Sequence, residues 1–318
     1  MDLSVIVPVF KVEEYIGSFL DSLFRNVPEG VEFVFVDDGS PDKSMDILNS
    51  FIEKNSICKS LVKIYSQENK GLSGARNSGL NLAKGKYISF LDPDDEIESS
   101  YFDVILSEVK LGQNPDIITF NACSIDTHGN YLDKIDVCDA SLQEKNHALL
   151  DIFNKGRWYA WSRAYRQDFF KDFAFPEGKR FEDLLTTPFV YLAAEKIVNK
   201  NDILVKYRTN PQGISNNPKD EDIKDIRIFA NQVFKDFEFE TDSKRKSLLY
   251  IIYLSAIKTL YFLTVNKYGY VKSYLAMKDF RERISHVDPV FDTMLNKKNK
   301  IFSRKMFLYY IIQIIRRK

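Results

Sequence analysis

Cysteine and histidine are scarce in this chain of 318 residues, with three of each. Cys58, Cys123 and Cys138 are odd in number and form no CxxC pair. That argues against a disulfide framework or a zinc site, and for a reducing compartment. His128, His147 and His286 are scattered at no metal or triad spacing. Net charge is also absent: 45 basic and 45 acidic residues cancel, so no global field draws the chain to nucleic acid. There is no internal repeat and no low-complexity tract. The first residues run straight into LSVIVPVF without a charged leader, which predicts no secretory signal. The apolar stretch at 247–265 is interrupted by Lys258, whereas spanning a bilayer takes about 20 apolar residues; a buried helix is expected there. What the chain does have is aromatic residues, 25 Phe and 17 Tyr, enough for a well-filled core and some surface for an apolar partner. Its length suits one large domain with an appendage, or two domains.

The first third alternates strand and helix. Residues 3–10 form a continuous apolar run, as in a parallel strand buried on both faces. Tyr15, Ile16, Phe19, Leu20 and Leu23 fall at helical spacing. Residues 31–36, 61–65, 86–91 and 116–120 read as further strands. Helices are predicted over 72–83 and 99–111, and another is expected with Ser40 as its cap and Pro41 at its first position. Past residue 121 the pattern loosens. A helix is predicted near 142–153, RWYAWSRAY reads as strand, and FEDLLTTPFVYLAAEKI reads as helix despite Pro188. Residues 203–207 read as a last strand. Residues 210–222 are rich in turn formers, and all beyond reads as helix. The expected class is α/β: a mainly parallel mixed sheet with helices on both faces, plus a C-terminal helical extension.

Two strand-like runs end in carboxylates. FVFVDDGS closes on Asp37 and Asp38, and FLDPDDEI on Asp92, Asp94 and Asp95. Ligands of open α/β sheets bind beyond the carboxyl ends of the strands, so two acidic ends point to one shared site. Either motif alone is equally an acidic turn, since Asp and Gly favour turns for local reasons. Together they suit a hard cation, Mg²⁺ or Mn²⁺, and such a cation suits a diphosphate.

Taken in order, VIVPVF, VDDGS, ENKGLSGARNSGL, FLDPDD, FED and YRTNPQGIS resemble family 2 of the inverting glycosyltransferases, with the GT-A fold and of the bacterial surface-polysaccharide type. The resemblance covers residues 1 to about 215. It is specific as an ordered set and weak for the DxD element alone. It implies a GT-A domain at 1–215, with a nucleotide-sugar half at 1–120 and an acceptor half at 121–215, followed by a helical region at 216–318. It also implies metal-dependent transfer of a hexose or N-acetylhexosamine from a UDP-sugar to a saccharide acceptor, one carried on a lipid diphosphate.

By that resemblance Asp94 is the direct metal ligand, and Asp92 lies near the ribose or the metal. Backbone near Pro8 and Val9 flanks the base, and Asp38 accepts from its ring N–H. Glu14 is either a ribose contact or a solvated residue of a first helical turn. Arg76 and Asn77 lie near the base or diphosphate, since Arg presents a fixed fork of donors to phosphate; the other reading of Arg76 is a surface ion pair. Inversion is a single displacement that needs a general base opposite the leaving group. Asp183 is favoured for that role over Glu182, which would then position the acceptor; the pair also suits a helix start. Arg163 would touch the acceptor. Trp161, with Trp158, either stacks on a sugar or fills the core. Tyr207, Arg208 and Ser215 would close over the diphosphate as a lid.

Residues 222–318 carry no catalytic motif. In KKNKIFSRKMFLYYIIQIIRRK, basic clusters bracket an apolar run at 306–315 that is too short to span a bilayer. Residues 300–318 fit an interfacial anchor on anionic lipid, or a helix docked on the protein core. The anchor would place a cytoplasmic protein at the inner face of the membrane. Two other classes compete. A sugar nucleotidyltransferase shares the sheet and the acidic site, but carries a Gly-rich phosphate loop with a basic residue after the first strand; VPVFKVEEY has neither a glycine pair nor an arginine there. A non-catalytic membrane scaffold would have no need of the intact DPDD and FED elements.

Overall fold

A computed structural model describes residues 1–58, 60–142, 144–210, 213–214 and 217–305. In order its elements are β1 (Leu3–Val9), α1 (Ile16–Leu23), β2 (Val31–Asp37), α2 (Ser44–Lys54), β3 (Val62–Ser66), α3 (Gly71–Leu82), β4 (Tyr87–Phe90), β5 (Glu96–Ile97), α4 (Tyr101–Lys110), β6 (Ile117–Ile125), β7 (Tyr131–Ile135), α5 (Lys145–Lys155), β8 (Arg163–Arg166), α6 (Gln167–Phe170), α7 (Glu182–Ala193) and β9 (Ile197–Arg208). Helices α8 (Asp220–Phe239), α9 (Ser243–Tyr268), α10 (Tyr270–Ala276), α11 (Lys278–His286) and α12 (Lys297–Arg304) follow.

The strands join one sheet in the order β3-β2-β1-β4-β8-β6-β9-β5, with β7 paired to β6 outside that path. Strands β1 to β4 are parallel, so their carboxyl ends share one edge; Val9 pairs with Asp37 there. The sheet is mixed, as expected, with its antiparallel pairs gathered in the other half. Strand β8 is antiparallel to β4 and β6, β7 to β6, and β5 to β9, while β6 and β9 are parallel. The turn between β6 and β7 shows one reason. Asp126 accepts from the backbone N–H of His128 and Asn130, and Gly129 takes φ +85°. A reversal that short cannot make a parallel crossover.

Apolar residues of β1 and β2 pack on Phe19, Leu20, Leu48 and Ile105 in one buried cluster. Against β1 lies α3, and the sequence permits its close approach. A Cβ on Gly79 would stand 2.3 Å from Ile6 Cγ2, so only glycine lets the helix lie this near the strand. Two local expectations fail. Helix α2 starts at Ser44, not near Ser40, because Asp42 accepts from the Ser44 N–H and Ser40 Oγ is engaged by Lys11 N–H and Asp42. Within RWYAWSRAY, residues 160–162 form a 3₁₀ turn and the strand begins only at Arg163.

By contacts the chain divides into two compact units, Met1–Ala148 with Arg157–Asn210, and Leu149–Gly156 with Pro211–Lys318. In the second, α9 is the one helix among the described residues long and apolar enough to cross a membrane by length and composition. It behaves as a core helix: Leu249, Ile252, Leu254 and Leu260 are 3% exposed or less. Lys258 interrupts that apolar face. Its Nζ donates to Asn299 of α12 and lies 5.3 Å from the Phe302 ring. Burial, then Lys298, lower its pKa to about 7. Residues 306–318, which hold most of the basic-apolar tail, lie outside the described residues.

A lysine whose folded pKa is depressed binds its proton more tightly when unfolded. Its contribution to stability therefore improves as pH rises from the folded pKa toward the unfolded one. Thermal unfolding of the wild type should shift upward between about pH 7 and about pH 10, and Lys258→Met should flatten that slope. An unchanged slope in the variant would remove Lys258 from the account.

Candidate active site

Arg76 joins the two acidic elements. It sits on α3, 2% exposed. Its Nη2 donates to Asp92 Oδ1 at 2.8 Å, and its Nη1 donates to Glu182 Oε1. The guanidinium lies 5.8 Å from the Phe90 ring and 5.4 Å from the Phe175 ring, and its Nε has no hydrogen-bond partner. Burial opposes the charge, but Asp92, Glu182 and Asp183 outweigh it and hold the pKa above the ordinary arginine value. One donor on each Nη of Arg76 is thus engaged inside the protein, with Glu182 and with Asp92.

Glu182 and Asp183 open α7. Glu182 is 3% exposed and bound to Arg76. Asp183 is half-buried, and its Oδ1 accepts from the Leu184 N–H at 2.7 Å. Burial raises both carboxyls and Arg76 works against that rise. One carboxylate of the pair is thus committed to a cation, and the other keeps an oxygen for chemistry.

The DPDDE turn is clamped from behind by Arg208, the last residue of β9. Its backbone N–H donates to Asp95 Oδ1 at 2.8 Å and its Nε to the Asp94 carbonyl at 3.0 Å. Its Nη2 donates to Glu96 Oε1 at 2.6 Å, and its Nη1 reaches the carbonyls of Asp126 and Thr127. The Tyr15 ring lies 5.4 Å from the guanidinium. Arg208 is 4% exposed, so the expected lid residue is instead a fixed brace. Tyr207, half-buried beside it, feels burial first and then Asp95, Asp94 and Asp92, all of which raise its pKa. Ser215 lies outside the described residues.

At the end of β2 the loop is tied down. The Asp38 N–H donates to the Val9 carbonyl at 3.0 Å, beside the buried Pro8. Asp38 is 2% exposed, and its Oδ1 accepts from Gln67 Nε2 and the Lys70 N–H. That oxygen braces residues 67–70 instead of facing a base. Asn77 is likewise committed. Its Nδ2 donates to the Phe175 carbonyl at 2.8 Å and its Oδ1 accepts the Phe175 N–H at 3.0 Å. It also lines a cavity of about 690 Å³ with Leu80, Gln167, Phe170 and Phe173, none of them in the acidic cluster. Glu14 is exposed; it acts after burial to raise the Tyr15 hydroxyl above its ordinary value.

Arg163 does not reach outward. It is 0% exposed, and its donors go to Tyr191 Oη, the Tyr159 carbonyl, Ser162 Oγ and the Arg157 carbonyl. Its expected contact with an acceptor is corrected to a role inside the turn. Trp161 is 4% exposed, stacked on Tyr159 at 4.8 Å and on Tyr207 at 5.7 Å; Trp158 is buried against Tyr191. Sequence reasoning passed over Tyr159 and Tyr15. The W-Y-x-W spacing was the available signal for the first, and it was absorbed into a strand.

Among the described residues no three His, Cys, Asp or Glu side chains converge as a metal site. Asp92 and Asp94 nevertheless suit a hard divalent cation that takes its other oxygens from substrate and water. Burial, then Asp92, raise the Asp94 carboxyl to about 6, and Asp95 Oδ2 is buried without a partner. A cation relieves crowding of this kind.

This sheet, with its acidic strand ends, defines a GT-A glycosyltransferase fold. The structure of Staphylococcus aureus TarS 1–349 in complex with UDP-GlcNAc superposes with a TM-score of 0.71 at 20% identity, covering 100% of this chain and 92% of that one. The mannosyltransferase PcManGT of Pyrobaculum calidifontis, in complex with GDP-Man and Mn²⁺, gives 0.57 at 14% identity, covering 99% and 86%. The Glycosyl transferase family 2 model matches residues 4–167, and the chain belongs to that family. Glycosyltransferase GlyA of Streptococcus pneumoniae is 32% identical over 223 residues, 67% of this chain and 31% of that protein. Glycosyltransferase GlyG of the same organism is 30% identical over 218 residues, 65% of this chain and 70% of that protein. The chain thus spans under a third of GlyA.

Removing the bridging cation strands two carboxylates. Arg76→Met should cost roughly 3–5 kcal/mol in urea unfolding, and adding Glu182→Gln should return part of it. A variant as stable as wild type would show that the bridge holds nothing.

Proposed function

We propose that the chain is an inverting, metal-dependent glycosyltransferase that moves a hexose or N-acetylhexosamine from a UDP-sugar to a saccharide acceptor. The carrying observation is the Arg76 bridge, which ties the DxD turn to the acidic pair at the start of α7. The likeness to TarS, crystallised with UDP-GlcNAc, supports the choice of donor, and PcManGT with Mn²⁺ supports the metal. Asp92 and Asp94 would hold a Mn²⁺ or Mg²⁺ ion, which when bound offsets charge on the leaving diphosphate. Asp183 takes the proton of the attacking acceptor hydroxyl; its half-open position and burial-raised pKa suit a general base. Glu182, held by Arg76, positions the acceptor beside Asp183. Arg208 keeps the Asp94 turn from shifting under load. A nucleotidyltransferase would need a basic phosphate loop after β1, and Lys11, exposed at that place, is followed by Glu13 and Glu14.

Incubation with a panel of UDP-sugars and manganese, read as UDP release, tests the class. Asp183→Asn should keep UDP-sugar affinity while turnover falls by about 10²- to 10⁴-fold. Asp94→Ala should lose metal-dependent donor binding. Turnover that survives Asp183→Asn would move the base elsewhere.

The same reading puts the protein at the inner face of the cell membrane, held on anionic lipid by residues 300–318, where a lipid-linked acceptor is met. Truncation after residue 305, which keeps Phe302 in its buried place, should release it from anionic vesicles in a sedimentation assay with soluble-acceptor activity kept. Vesicle binding that outlasts the truncation would exclude the tail as anchor.

A further inference from the structure

Arg163 presents a problem that its position answers. It is a wholly buried guanidinium, and among the described residues it bonds no carboxylate. Its partners are a tyrosine hydroxyl, a serine hydroxyl and two backbone carbonyls. Burying a charge against neutral groups alone is expensive, and folds keep such arrangements mainly where a site needs them. What Arg163 fixes is the turn before it. By taking the carbonyls of Arg157 and Tyr159 and the hydroxyl of Ser162, it sets the backbone over 157–162.

That turn presents two side chains. Tyr159 is half-buried and lies flat on Trp161, with 5° between the ring planes; Tyr207 is nearly parallel to both. Arg157 is exposed and has no ion pair among the described residues, and its Nη1 donates to Tyr159 Oη at 3.2 Å. The stack also joins the brace of the acidic turn: Tyr207 immediately precedes Arg208, whose backbone N–H and Nε hold Asp95 Oδ1 and the Asp94 carbonyl.

We infer that the 157–162 turn is a binding platform for a saccharide acceptor that carries an anionic group, with Tyr159 offering the stacking face and Arg157 the anion contact. This rests on the glycosyl-transfer reading above. The apolar C–H face of a pyranose suits a tyrosine ring. An unpaired guanidinium beside it presents the donor fork that phosphate or carboxylate fills. Trp161, too buried to touch a sugar, stiffens the platform from beneath.

The two tryptophans of the chain, Trp158 and Trp161, make the test direct, because Trp161 lies in the stack. With the protein saturated in UDP, tryptophan emission is titrated with N-acetylglucosamine, with its 1-phosphate, and with methyl glucuronide. The anionic probes should bind about tenfold tighter than the neutral sugar, and the stronger of the two identifies phosphate or carboxylate as the group read. Arg157→Ala should erase the preference; its side chain is exposed and its structural bond runs through the carbonyl, so the fold stands. Tyr159→Ala should weaken all three. Equal binding of neutral and anionic probes, or a preference that survives Arg157→Ala, overturns the inference. UDP affinity, measured by calorimetry on the same proteins, separates the two readings: intact UDP binding without anion preference sinks only the platform, whereas absent UDP binding sinks the sugar-transfer proposal as well.

Discussion

A guanidinium held between Asp92 and Glu182 is the contact on which the rest of the site depends. Those carboxylates belong to elements far apart in the chain, one ending β4 and the other opening α7. Without a cation between them they would repel across a buried gap, and nothing else in the described residues takes the place of Arg76. The bridge in turn depends on where α3 lies. Gly79 lets that helix press against Ile6, and the Asn77 amide pins the Phe175 backbone on both its sides. The segment leading into α7 is therefore placed by α3 before its own helix begins. A packing constraint with no polar character, a missing Cβ, thus sets the separation of two catalytic candidates.

The same arrangement recurs at Arg163 and Arg208. Each is buried, and each commits its donors to backbone carbonyls as well as side chains. Arg208 fixes the Asp94 peptide and the β6–β7 turn together; Arg163 fixes the 157–162 turn. Five donors in a rigid plane can define the relative position of several loop peptides at once, which a lysine cannot do. A metal or diphosphate approaching Asp94 would meet a turn that has already paid its ordering entropy, and preorganisation of that kind is what an electrostatic site needs. The net neutrality of the chain fits this pattern, because the cations that matter are interior and matched locally.

The strand-helix alternation of the first 120 residues was legible because period and turn chemistry agreed there: β1, β2 and β4 are mostly apolar, β2 ends on Asp37, and β4 is followed by the DPDD turn. The acidic motifs were legible for the same reason, since packing alone seldom calls for a cluster of carboxylates behind a buried strand. The antiparallel half was harder. Its strands are short, and its order depends on which hairpins close, as at Asp126 and Gly129. The arginines were the least legible. From sequence, Arg163 and Arg208 read as ligand contacts and Arg76 as a ligand contact or an ion pair, because an arginine near a site motif offers donors to phosphate. Whether those donors face a ligand or a peptide carbonyl is decided by burial, and burial at a single polar position leaves no periodic trace.

The burial of these arginines also bears on specificity. On the readings proposed above, recognition of an acceptor falls to side chains that the scaffold displays, Tyr159 and Arg157 of the 157–162 turn. Arg157 is exposed on its loop, whereas Tyr159 also packs on the core through Trp161. The interior arginines hold still what the surface residues can vary. A chain that works as proposed would keep one transfer geometry while its acceptor preference changes, because the buried arginines that hold the acidic turns and the displayed residues of the 157–162 turn share no side chain.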